Sequence, residues 1–213
     1  MRLILTVTSL VIATTPAFCL SRHALNSQDV EKWGTYVNKA YKFEIKCPRG
    51  LAIQDNFGEM GWPFYSITGG PGDITGKQLL DIPLYDAREG KDGSRWYTAG
   101  ITIGVTKNDR DATDCFEGGK DKRFKPRSAT ETINGITFAK FQIEGHPGES
   151  AYFSGISYRT VHNGKCFVID KVKSGTNTAP PSLSEQEIQT MYDDLEVIIH
   201  TFRFTRSSPL DFK

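Results

Sequence analysis

The sequence is short of several things, and each shortage narrows the reading. Lys plus Arg number 26 against 25 Asp plus Glu, a formal net charge of +1. It therefore lacks the basic excess that holds proteins to nucleic acid by charge. No apolar run reaches the roughly 20 residues that a spanning helix needs. Histidine occurs only at His23, His146, His162 and His200, with no metal-ligand spacing among them. Repeats and low-complexity tracts are missing as well. Aromatic residues, in contrast, are plentiful: thirteen Phe, eight Tyr and three Trp. That is enough for a real core and excludes a disordered chain. A length of 213 residues fits one domain or two small ones.

The first residues read as a secretory signal peptide occupying 1–19. Arg2 leads an apolar run from Leu3 to Ala13, and Pro16 and the small-x-small triplet Ala17-Phe18-Cys19 follow. Basic residue, apolar run and cleavage triplet come in the order export requires. A lipoprotein acylated at Cys19 is the alternative, but such signals place a small residue before the Cys, and Phe18 stands there. The expectation is an exported protein, periplasmic or secreted, without a transmembrane span or lipid anchor. Removing 1–19 takes away one cation, Arg2, and no acid, leaving 25 bases against 25 acids. It also leaves Cys47, Cys115 and Cys166. In an oxidising compartment three thiols suggest one disulfide and one spare. Spacing does not choose the pair. Cys47, just before Pro48 at a strand end, reads as structural rather than catalytic.

Residues 20–37 form a polar lead-in, with a short helix expected from Ser27 or Asp29 to Tyr36. A single α+β domain over 38–213 follows. Tyr41-Lys42-Phe43-Glu44-Ile45-Lys46-Cys47 alternates apolar and charged residues, the period of a strand with one buried face. Residues 64–67 and 80–85 are weaker strand candidates, and residues 95–106 read as a central strand in which Gly100 and Gly104 mark a bulge or close approach. Residues 108–127 read as a polar surface excursion. Asn134-Gly135 and Asn163-Gly164 each sit between strand-like segments and predict tight hairpins. Ser182 and Ser184 each have a Glu three residues on, so a capping box can open a late helix at either register. Ile188, Met191, Leu195 and Ile198 then repeat at helical spacing. Thr201-Phe202-Arg203-Phe204-Thr205 closes as a strand. The fold class is α+β: a mostly antiparallel sheet with hairpins and a C-terminal helix.

That order of elements resembles the PsbP-like group, whose members include luminal photosystem accessory proteins, nuclear-import factors and secreted bacterial proteins. The matching pieces are Tyr41-Lys42-Phe43 running into Pro48, the strand with Phe138 after Asn134-Gly135, the turn His162-Asn163-Gly164-Lys165 followed by Cys166-Phe167, and the terminal helix leading into Phe202-Arg203-Phe204. They cover about a third of the chain. The resemblance implies an α/β/α sandwich and a Cys115–Cys166 disulfide with Cys47 free. It implies no catalytic residue, since the group shares architecture and not chemistry. The chain departs from the pattern after Pro48, where Arg49-Gly50-Leu51 stands and the group often has a Trp.

No candidate for chemistry survives comparison with a plainer reading. Residues 72–78 suggest a phosphate loop, but Pro71 and Gln78 stand where Gly and Ser or Thr are needed. Asp109, Asp111 and Asp114 resemble a calcium loop, but Asp114 and Lys120 replace its Gly and Glu. His146 or His162 beside Cys166 would make a thiol pair only if Cys166 were unbonded. Ser154-Gly155-Ile156-Ser157-Tyr158 matches the SGxxY loop that some periplasmic lysozyme inhibitors insert into their target, yet it falls inside a predicted strand. Lys120, Lys122, Arg123, Lys125 and Arg127 form a basic run, read as a solvated loop or a partner-contact patch. The functional expectation is an exported envelope protein acting by binding or accessory assembly. Its partner is an unidentified protein or small ligand, with no cofactor, metal or nucleic acid. A lysozyme-type inhibitor and a thiol-dependent envelope enzyme are the alternatives.

Overall fold

The computed structural model describes residues 27–51, 53–57, 76–106, 115–116, 124–178 and 182–205. Two antiparallel sheets and one α-helix make up the described fold. A small sheet is built from β1 (Gly34–Asn38), β2 (Phe43–Cys47) and β9 (Arg203–Phe204), in the order β1-β2-β9. A large sheet is built from β3 (Gly76–Glu89), β4 (Arg95–Thr106), β5 (Phe124–Ile133), β6 (Ile136–Gly148), β7 (Ala151–His162) and β8 (Lys165–Thr176). Its strands run in the order β3-β4-β8-β7-β6-β5, every neighbour antiparallel. The helix α1 spans Glu185–Ile199. The chain is thus an α+β protein with a mostly antiparallel sheet, and residues 95–106 form an interior strand of it.

Alternation along the strands sorts one face of the large sheet toward α1 and the small sheet. Leu80, Ile103, Ile169 and Tyr158 are consecutive cross-strand partners, so they form one row on that face. All four are fully buried. Phe43, Ile45 and Phe202 from the small sheet and Leu195, Ile198 and Ile199 from α1 join them in a single cluster. The rings of Phe43 and Phe202 stack at 5.4 Å, and Phe167 meets Phe43 edge-on at 6.4 Å. Burying each such side chain stabilises the fold by about 1.5–3 kcal/mol.

The local signals are realised with instructive exceptions. Asn134 and Gly135 have φ of 49° and 80°, and Asn163 and Gly164 have 50° and 75°, the positive values a two-residue hairpin turn requires. Of the two capping registers the structure uses Ser184. Its hydroxyl accepts from the Glu187 N–H at 3.2 Å while its own N–H donates to the Glu187 carboxylate at 2.8 Å. That register places Leu183 before the cap and Ile188 four residues into the helix, where both pack on the core. The Ser182 register would place Pro181 and Gln186 there. Gly100 and Gly104 do face bulges, but the extra residues, Leu79 and Leu84, are on the partner strand β3.

Two sequence expectations need correction. The helix expected to reach Tyr36 is a 3-10 segment, Ser27–Lys32, and Gly34–Asn38 is instead strand β1. The short apolar-polar alternation Thr35-Tyr36-Val37 pairs with β2, and that pairing outweighs the helical tendency of the polar residues before it. The surface excursion expected up to Arg127 ends earlier, because β5 begins at Phe124. The strand expected at 64–67 lies outside the described residues. Among the described residues, no helix is long and apolar enough to cross a membrane.

Candidate functional site

The face of the large sheet beneath α1 is not wholly apolar. Lys140 continues the row of Tyr158, Lys171 pairs with Ile156 and Ile101 in the next row, and Glu131 stands opposite Phe138. Strand alternation therefore puts Glu131, Lys140, Tyr158 and Lys171 on one face, from four different strands. On α1, Tyr192, Glu196 and the cap residue His200 recur every four residues and face the same way. The hairpin turns and the helix register together bring these seven side chains into one polar cluster.

Two carboxylates organise it. Glu196 accepts from the Tyr158 hydroxyl on Oε1 at 2.6 Å and from the Lys171 ammonium on Oε2. Glu131 accepts from Lys140 on Oε2 at 2.5 Å and meets His200 Nε2 on Oε1 at 2.7 Å. Lys171 lies 4.3 Å from the centre of the Tyr192 ring, with Lys173 at 4.8 Å from the same ring. Lys140 lies 4.9 Å from the Tyr158 ring. The Lys171 side chain is only 6% exposed, so its charge depends on Glu196 for compensation.

The electrostatics follow from these contacts. Burial alone would raise the pKa of Glu196, but the bonds from Lys171 and Tyr158 outweigh it and hold the carboxyl below its usual range. Glu131 is held down in the same way by Lys140 and His200. Tyr158 is pushed far above the ordinary phenol range, first by burial and then by the adjacent Glu196. Both carboxylates are therefore ionised and the Tyr158 phenol neutral near pH 7. One ligand atom from each of Glu131, Glu196 and His200 lies within 4.8 Å of the others, a set that could approach a metal ion. Every oxygen of the two carboxylates already has a proton donor, and two lysines face the same atoms. Chemically the cluster is a charge-compensated clamp between helix and sheet.

The sequence-derived candidates fall elsewhere. Cys115 and Cys166 form a disulfide with Cα atoms 5.6 Å apart, as the resemblance implied, and Cys47 is a free, buried thiol. Burial pushes the Cys47 thiol up, away from reactivity. Lys120, Lys122 and Arg123 lie outside the described residues, as do Asp109, Asp111, Asp114 and His23. Lys125 and Arg127 stand on β5, with side chains that also lie outside the description. Ser154-Gly155-Ile156-Ser157-Tyr158 is the middle of β7, with Ser157 and Tyr158 fully buried. It does not project as an inhibitory loop. Gly155 has a packing reason: a Cβ there would sit 2.1 Å from the Lys171 carbonyl oxygen. His162 stacks on Phe204 at 3.6 Å, while His200 joins the cluster.

Sequence reasoning passed over the cluster because its members are dispersed from 131 to 200 and meet only through sheet pairing. Two traces were present. Asp170-Lys171 interrupts the apolar run Phe167-Val168-Ile169 and Val172, and Glu196 and His200 are four apart on a helix. A charged pair inside an apolar strand calls for partners.

The fold defines an α+β protein with a large antiparallel sheet, one helix across it and an internal disulfide. No protein-family model matches the sequence, and no curated protein matches it. Among solved structures, the chain is similar to LpqN, a protein involved in cell envelope biogenesis of Mycobacterium tuberculosis, with 13% identity and a TM-score of 0.38 over 80% of this chain and 98% of that one. It is also similar to the cyanobacterial PsbP of Synechocystis sp. PCC 6803, with 12% identity and a TM-score of 0.37 over 80% of this chain and 91% of that one.

Proposed function

We propose that this chain is an exported, non-catalytic accessory or binding protein of the cell envelope. The observation that carries the reading is the Cys115–Cys166 disulfide, which joins residues 51 apart in sequence. Such bonds form and persist where the surroundings are oxidising, outside the cytosol. Export through a signal peptide over 1–19 fits the same compartment. The non-catalytic part is supported by the polar cluster beneath α1. A general base needs a free lone pair and a pKa near the working pH. Glu131 and Glu196 lack the second, because the proton donors on their oxygens hold both pKa values down. Cys47, the free thiol, is buried and pushed toward its neutral form. The partner is a protein or small ligand of the envelope.

Two measurements on the chain expressed with residues 1–19 in a bacterial host test this reading. N-terminal sequencing of the osmotic-shock fraction is expected to find a chain beginning after Cys19. Thiol titration in denaturant is expected to count one thiol per chain, that of Cys47. A chain retained in the cytoplasm with its N-terminus intact and three or more titratable thiols overturns the proposal.

A further inference from the structure

Sheet edges are where chains add to one another, and proteins normally guard them. Edge strand β3 carries Pro83 and two bulges. Edge strand β5 carries Pro126 and an irregular register between Pro126 and Thr130. β1 carries none of these devices. Among the described residues it pairs with β2 alone, its register is unbroken, and Gly34-Thr35-Tyr36-Val37-Asn38 contains neither proline nor charge. Val37 is 45% exposed, one of three large apolar side chains that stand out from the surface among the described residues.

The backbone polarity of this edge can be worked out. Lys46 directs both its N–H and its C=O at the Thr201 hydroxyl, at 2.8 and 3.3 Å, on the side of β2 away from β1. In an antiparallel pair, two opposed residues both turn these groups toward each other or both turn them away. Thr35 lies opposite Lys46, so its N–H and C=O face the open edge. By the two-residue period, those of Val37 do so too.

The geometry points to a second copy of this chain as the occupant of that edge, with β1 pairing antiparallel to β1 of the second molecule about a two-fold axis at Tyr36. This register is the one that sets both outward-facing residues against outward-facing residues. Thr35 opposes Val37 of the second copy, and Val37 opposes its Thr35. Each opposition exchanges two backbone hydrogen bonds, which satisfies all four donors and acceptors on both edges. Side chains match as well. Thr35 and Val37 form β-branched cross-strand pairs on the exposed face, and the two Tyr36 rings meet on the other. The strand itself is neutral, so no charged residue of one β1 opposes another. The result is one six-stranded sheet in the order β9-β2-β1-β1-β2-β9. A five-residue edge covers far less than the roughly 1,200 Å² of a stable complex, so the dimer is weak and concentration-dependent.

Register-specific cross-linking and sedimentation test this together. Thr35→Cys chain mixed with Val37→Cys chain under mild oxidation is expected to give a covalent dimer several-fold above either variant alone. Opposed residues of a hydrogen-bonded pair sit about 5.5 Å apart at Cα, within disulfide reach. Sedimentation equilibrium of the unsubstituted chain is expected to show average mass rising from monomer toward dimer with concentration. The Val37→Lys chain, with an unchanged circular dichroism spectrum, is expected to stay monomeric. A mass that remains monomeric up to millimolar concentration, or a mixed cross-link no greater than that of the single variants, overturns the inference.

Discussion

Tyr158 and Lys171, on adjacent strands of the large sheet, hold the two oxygens of one helix carboxylate, Glu196. This contact fixes where α1 lies on the sheet, and hydroxyls of other strands reinforce it. Tyr85 donates to the Asp194 carboxylate at 2.6 Å and Tyr97 to the Ile188 carbonyl at 3.3 Å. Tyr192, on the helix, donates in return to the Lys171 carbonyl at 3.4 Å. Apolar burial drives α1 onto the sheet without specifying direction, and these bonds select one rotation and one shift along the axis.

Removing Glu196 is expected to cost more than removing its partner. Glu196→Ala leaves Lys171 buried without compensation, and breaking a buried pair in that sense costs about 3–5 kcal/mol. Lys171→Met leaves Glu196 half-buried with the Tyr158 bond intact, and a smaller loss of about 1–2 kcal/mol is expected. The double variant Glu196→Leu with Lys171→Met is expected to recover much of the difference. Urea unfolding of the three variants checks the order. A Glu196→Ala chain no less stable than Lys171→Met would remove the clamp from the account.

Acid is expected to loosen the same contact. Both Glu131 and Glu196 have folded-state pKa values below the ordinary 4.5. A depressed carboxylate pKa contributes stability that is fully present above the unfolded value and lost as pH falls through the folded one. Unfolding free energy is therefore expected to be flat in this contribution above about pH 5.5 and to decline from there toward pH 3. The Glu131→Gln, Glu196→Gln double variant is expected to start lower and decline less steeply. Urea midpoints measured from pH 7 to pH 3 check the slope.

Reduction of the disulfide is expected to destabilise without abolishing the large sheet. Cys115 and Cys166 enclose a loop of 51 residues, and chain-entropy arguments assign such a closure about 4 kcal/mol at 25 °C. Cys166 lies at the start of β8 in a small cluster with Val168, separate from the main core. Thermal melts of the Cys115→Ala, Cys166→Ala chain are expected to show a lower midpoint and an unchanged far-ultraviolet spectrum at 20 °C.

Much of this fold could be read in the sequence, and the limits have physical causes. Hairpins β5–β6 and β7–β8 were legible because Asn-Gly turns and period-2 alternation are local. The opening strand β1 was not, because five residues carry too little periodicity and only its pairing with β2 defines it. Of the polar cluster, the Glu196–His200 spacing was visible, but its partners Glu131, Lys140, Tyr158 and Lys171 are assembled by a sheet order that no local pattern states. Gly155 lies in the segment that matched a recognition loop but sat inside a predicted strand, and the strand reading holds. Its lack of a side chain is set by the Lys171 carbonyl, and Gly155→Ala is expected to lower stability by about 1–3 kcal/mol through a backbone clash.

The two Asn-Gly turns look alike in sequence, and the structure separates them. Asn134 and Asn163 have nearly the same positive φ, so a glycine suits either as a turn residue. Only Asn134 carries a second duty that the structure shows: its amide donates to the His200 carbonyl at 2.8 Å and the Phe202 carbonyl at 2.9 Å. Those groups follow the end of α1, where carbonyls lack helical partners. Asn134→Gly is therefore expected to cost about 1–3 kcal/mol for the two lost bonds, whereas Asn163→Gly stays within about 0.5 kcal/mol. Chemical denaturation of the two single variants measures the difference directly. Equal losses would mean that the turn conformation, and not the tie to the end of the helix, is what Asn134 contributes.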